Sequence, residues 1–207
     1  LLLLLTAPAA PTPAATISTP PAPAAAPPTD KPALTGVFDA TWYSYDRTLA
    51  QWEGHFQNLK AIGIDTVVAQ FAIVKDHYRN YPTQLSWATN FPDHSACISN
   101  LLSAAQTKGL DAYLGLYFDE KPWWGTPNDA YLSEQANRCN AVVEELERLY
   151  GGHPRLKGYY LPHEVVLYYW QKPADLRRLL TQFLKPVEAY IHGHTTKTLV
   201  MSPFYNQ

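Results

Sequence analysis

The chain has 207 residues, 46% of them hydrophobic and 13% aromatic, enough for one core of ordinary size. Its net charge is −2, and its 16 Lys and Arg are scattered without forming a stripe. That pattern excludes a phosphate-tracking surface, and with it nucleic acid as a partner.

In chain order, "LLLLLTAPA" reads as the remnant of a signal peptide, residues 1–9, running into an A-x-A-like cleavage site near Ala9. The run is too short to cross a bilayer, so no stable membrane insertion is expected. Because the first residue is Leu, the sequence is expected to lack its true start. Residues 10–33 are rich in Pro and Ala, with little charge and a single large apolar side chain, Ile17, and are predicted to be a disordered linker. Together these segments predict a secreted or periplasmic domain. In such an oxidising compartment Cys97 and Cys139 could pair, or each could be a buried free thiol.

From residue 34 onward, short β-type runs alternate with helical ones. The β-type runs are 36–42, 64–73, 110–119, 156–162 and 198–205. Apolar residues recur at helical spacing in four sets: Leu49, Trp52, Phe56 and Leu59; Ile98, Leu101, Leu102 and Ala105; Leu132, Ala136, Cys139, Val143 and Leu146; Leu176, Leu180, Phe183, Leu184 and Val187. The alternation predicts a parallel sheet with helical crossovers. Helices return to strands through short glycine-marked turns such as "AIGI" and "TKGL", whereas strands leave through longer loops rich in Trp, Tyr, His and acidic residues. In parallel α/β folds that is the end where chemistry sits. No strand is followed by a glycine-rich phosphate loop, which disfavours a nucleotide-binding sheet. With five strands and no helix after the last, the expectation for residues 34–207 is a partial (β/α)8 (TIM) barrel whose C-terminal units are missing.

The stretch "YYLPHEV" places a carboxylate, Glu164, just past the fourth strand. Alternation puts Tyr160, Pro162 and Glu164 on one face and Tyr159 and Leu161 on the other. A carboxyl group above aromatic walls is partly desolvated, which raises its pKa and suits it to donate a proton. The plainer role for Glu164 is a helix cap or an ion pair. After the third strand, the same parity points Tyr117 and Asp119 into the barrel and Phe118 toward the helices, which favours Asp119 over Glu120 as a site residue. A structural cap is the alternative for Asp119. Indole rings stack on the C–H faces of sugars, and Trp42, Trp123 and Trp124 lie at the loop-rich end, as does Tyr205. Gln70 could bond a substrate hydroxyl, and His163 could tune the charge of Glu164. His77, His94, His163 and Asp119 could reach the same mouth. No H-x-H or H-E-x-x-H places ligands on one element there, however, so neither metal nor cofactor is implied.

The segments "LTGVFDATWYSYD", "HFQNLKAIGIDTVVAQF", "YLGLYFDEKPWW" and "KGYYLPHEV" resemble a bacterial family of (β/α)8 domains related to glycoside hydrolases. The resemblance covers about residues 34–207. It implies that Glu164 is the acid/base of a retaining hydrolase, with the nucleophile after a seventh strand that lies outside this sequence. It also implies a carbohydrate substrate. The relatives usually carry Asn where this chain has His163. The second expectation, from a different class, is a non-catalytic carbohydrate-binding barrel acting on cell-surface polysaccharide. Oligomeric state, sugar and linkage are not legible in the sequence.

Overall fold

The computed structural model describes residues 34–125, 127–166 and 169–202. The expectations for residues 1–33, including the signal remnant and the linker, lie outside the described residues, as does that for Tyr205. In chain order the strands are β1 (Gly36–Asp39), β2 (Thr66–Ala69), β3 (Ile73–Val74), β4 (Tyr78–Arg79), β5 (Asp111–Gly115), β6 (Tyr117–Phe118), β7 (Leu156–Leu161) and β8 (Thr198–Met201). The helices are α1 (Leu49–Ala61), α2 (Ala96–Lys108), α3 (Glu120–Trp123), α4 (Asp129–Tyr150), α5 (Pro173–Leu179) and α6 (Lys185–His194).

The main sheet has five strands in the order β1-β2-β5-β7-β8, every neighbouring pair parallel. Each of the five predicted runs contributes one strand to it, and the predicted helical stripes form the crossovers. Trp52 and Phe56 of α1, Leu101 and Leu102 of α2, and Cys139, Val143 and Leu146 of α4 are all buried in one core. Gly63 and Gly109 take the positive φ needed to end their helices, at 87° and 73°.

The sheet curls. Phe38 of β1 and Tyr160 of β7 lie three strand spacings apart, roughly 14 Å in a flat sheet, yet their ring centroids are 5.0 Å apart. Curvature toward that face accords with a partial TIM-like α/β fold, and the barrel is not closed: β1 and β8 are the two edges of the sheet.

Two predicted strands are interrupted. The run 64–73 breaks after Ala69, and 110–119 breaks at Leu116, so that β3 and β6 pair with each other above the main sheet and β4 adds antiparallel to β3. The cause is local. A Cβ on Gly115 would sit 1.9 Å from the carbonyl oxygen of Gln70, so only glycine allows β5 to pass the end of β2 this closely. The last helical stripe is interrupted as well, by a π-helical turn at Leu180–Leu184 between α5 and α6. Pro186, just beyond it, has no N–H to give and would clash with the carbonyl of residue 182 in a regular helix. Leu180, the first residue of that turn and expected on the core stripe, is exposed.

Cys97 and Cys139 are free thiols buried on α2 and α4, not a disulfide. Desolvation pushes both thiols up, Cys97 to about 12.

Candidate active site

Strand β7 ends where Pro162 withdraws a ladder donor. Tyr159 points to the helix layer, its hydroxyl donating to Glu147 Oε1 of α4 at 2.7 Å, while Tyr160 points to the concave side. The alternation continues past the strand. Pro162 and Glu164 line a cleft of about 440 Å³, and His163 between them is turned into the helix layer.

All of the cleft comes from segments that follow strands of the main sheet. Trp42 lies on the 3-10 turn after β1, Gln70 and Phe71 directly after β2, and Val74, His77 and Tyr78 on or beside the β3–β4 hairpin. Phe118 ends β6, Glu120 begins α3, and Trp124 follows it. Asp76, at the tip of the hairpin, takes φ of 60°, a left-handed conformation that Asp tolerates, and this turn delivers His77 to the wall. Trp42 and Trp124 are each 42% exposed, so both present open indole surface at the rim.

Glu164 is half-buried, and burial alone raises its carboxyl above the usual range. Among the described residues it has no ion-pair partner. Burial, with the Glu164 charge as a lesser cause, pushes the neighbouring Tyr160 phenol up to about 12. Burial thus favours the protonated form of Glu164 more than in an open carboxyl, and its place in the cleft would let it release that proton to a basic oxygen there.

Of the residues expected at the substrate, Trp42, Gln70, Trp124 and Glu164 share this cleft. Four others are placed elsewhere. Tyr117 is fully buried against Trp87 and the Arg138 guanidinium on the α4 side. Asp119 is buried and ion-paired to Lys75 at 2.9 Å, and its side chain caps nothing. The break at Leu116 slips the alternation by one residue, which sends Phe118 and Glu120 into the cleft in place of Tyr117 and Asp119. Trp123 is 1% exposed and bonds the protein, its indole N–H donating to the Glu164 carbonyl oxygen at 2.8 Å.

His163 is fully enclosed by the rings of Phe118, Trp123 and Phe183, with Nε2 3.2 Å from Gln135 Oε1. It therefore touches no ligand in the cleft. Burial lowers its pKa to about 3, so it is neutral and adds no charge beside Glu164. Asp39, at the end of β1, is likewise engaged, by Ser44, by Arg47 at 2.9 Å and by His55 at 3.4 Å. The histidines do not converge: His77 lines the cleft, His94 pairs with Asp46 at 2.7 Å under Tyr45, and His163 is caged. Among the described residues no group of three His, Cys, Asp or Glu is arranged to hold a metal ion.

A family model described as "Domain of unknown function (DUF4434)" matches residues 34–207. The chain belongs to that family. A relative from Escherichia coli K12, "Uncharacterized protein YbcH", is 27% identical over 161 residues, which cover 76% of this chain and 50% of the relative. The chain thus spans about half the length of the curated relative it matches. Among solved structures, a candidate α-L-fucosidase from Bacteroides thetaiotaomicron superposes with a TM-score of 0.63 at 20% identity, covering 92% of this chain and 57% of that one. At that identity the likeness is one of fold. The family member described here shares the fold of that structure, and no helix among the described residues is long and apolar enough to cross a membrane.

Proposed function

We propose that this domain is exported and processes a polysaccharide by acid/base hydrolysis of a glycosidic bond, with Glu164 as the proton donor. The observation that carries the reading is the placement of Glu164: a half-buried carboxyl, unpaired among the described residues, in a cleft rimmed by two open indoles. Trp42 and Trp124 would stack on sugar faces, and Gln70 would bond a hydroxyl. Protonated Glu164 gives its proton to the glycosidic oxygen as the bond to the sugar carbon breaks. The resulting carboxylate then takes a proton from the attacking water. In the retaining course that the family resemblance implies, the nucleophile is a second carboxylate about 5–5.5 Å from Glu164, and it is supplied by the part of the fold beyond β8.

The test is Glu164→Gln in the full-length protein, assayed on a panel of nitrophenyl glycosides that includes the α-L-fucoside. Turnover of any glycoside the wild type cleaves is expected to fall by roughly 10²–10⁴-fold with the melting temperature unchanged. Because the acid must be protonated to act, wild-type activity is expected to decline as pH rises through the raised pKa of Glu164. Undiminished turnover in Glu164→Gln overturns the assignment. Glycan binding without product release from any substrate would identify a binding barrel instead.

A further inference from the structure

Behind Glu164, on the helix side of β7, lies an arrangement that the proton transfer does not itself use. The turn after Leu161 has left the sheet ladder, and it is held from behind at two successive residues. His163 is caged by three rings, and the Glu164 carbonyl accepts the Trp123 indole N–H at 2.8 Å. Trp123 is itself immobilised, 1% exposed, with its ring 4.7 Å from His163, 5.6 Å from Phe183 and 5.8 Å from Trp170. Its sequence neighbour Trp124 faces the other way, into the cleft. The loop that bears the sugar platform and the turn that bears the acid are thus joined by a partly buried hydrogen bond.

We infer that Trp123 is a positioning residue: its indole N–H clamps the Glu164 backbone, holds the carboxyl in the apolar cleft, and fixes Trp124 relative to it. A side chain leaves the main chain along its Cα–Cβ bond, so fixing the carbonyl of the same residue restricts where the carboxyl can go. A site built this way stays aligned only while its supporting residues are locked by packing. The inference rests on the reading of Glu164 as proton donor, but the clamp can be measured without any substrate.

In the full-length protein, Trp123→Phe keeps a ring in the cluster and removes the donor. Phe183→Leu disturbs the same cluster and leaves the bond to Glu164 in place. The carboxyl of Glu164 is followed by carbon-13 NMR through a pH titration. In Trp123→Phe its midpoint is expected to fall toward the ordinary carboxylate range as water reaches the loosened turn, while Phe183→Leu lowers the melting temperature but leaves the midpoint where it was. On any glycoside that is turned over, Trp123→Phe is expected to lose roughly tenfold to a hundredfold in kcat, with KM changed by no more than about twofold. A midpoint unchanged in Trp123→Phe, or moved equally by Phe183→Leu, overturns the clamp. If Glu164→Gln retains full turnover the proton-donor reading fails by itself, and the titration still decides the clamp.

Discussion

At the scale of single residues, His163 illustrates what the sequence conveys and what it hides. The alternation that sends Glu164 into the cleft was legible from "YYLPHEV", and the same parity turns the residue before it toward the helices. The sequence contains no sign of the cage that awaits it, because Phe118 and Trp123 come from one segment far earlier in the chain and Phe183 from another well after it. The consequence is thermodynamic. Buried with Nδ1 unpartnered among the described residues, His163 has a folded-state pKa lowered to about 3, against about 6.5 in the unfolded chain. Between those values the unfolded chain takes up a proton that the native state refuses, so stability falls as pH drops below about 6.5, by about 1.4 kcal/mol per pH unit. His55 and His153, also lowered chiefly by burial, act in the same direction, while the raised carboxyl of Glu164 opposes them over its own narrow range. Urea unfolding at pH 7 and pH 5 is expected to differ by about 2 kcal/mol, and most of that difference is expected to vanish in His163→Phe. An equal loss in the variant would assign the acid sensitivity to other groups.

At the scale of elements, period and parity place every strand of the main sheet and every long helix, because those signals are local. They fail where a contact made elsewhere in the chain breaks the period. Nothing in "LDAYLGLYFD" reveals that Gly115 must pass within touching distance of Gln70, yet that approach splits the run and exchanges the inward and outward residues after it. The preference for Asp119 over Glu120 followed from an unbroken strand, and it is reversed by the break. Glu145 is a second example: on α4 it looks like an outward charge, but it is buried, accepting bonds from the Tyr81 and Thr83 hydroxyls and the Gln84 N–H, and so ties the loop after β4 to the helix. Gly115→Ala is expected to cost about 1–3 kcal/mol or more in urea unfolding, the penalty of forcing atoms into a filled site. It should also displace Gln70 from the cleft wall, visible as a shift of its side-chain amide resonances. A variant as stable as the wild type would show that β2 and β5 can part there without loss.

At the scale of the whole molecule, the decisive feature is a curled sheet that does not close. Among the described residues, β1 and β8 each present one side of unpaired backbone donors and acceptors, and apolar groups are uncovered beside them, with Phe38 50% exposed and Met201 39% exposed. An unpaired parallel edge next to apolar surface is a template for further strands, and a sheet with two such edges can add a neighbour at either side. Residues 34–207 expressed alone are therefore expected to self-associate as concentration rises, detected as a growing weight-average mass in sedimentation velocity. A charge at the β8 edge opposes this at little cost to folding, since Met201 already faces solvent. Met201→Lys is expected to lower the association at equal concentration while leaving the circular dichroism spectrum unchanged. A monodisperse wild-type fragment that melts cooperatively would mean that the two edges are protected by the curl itself, and that the open sheet is a stable end state of this fold.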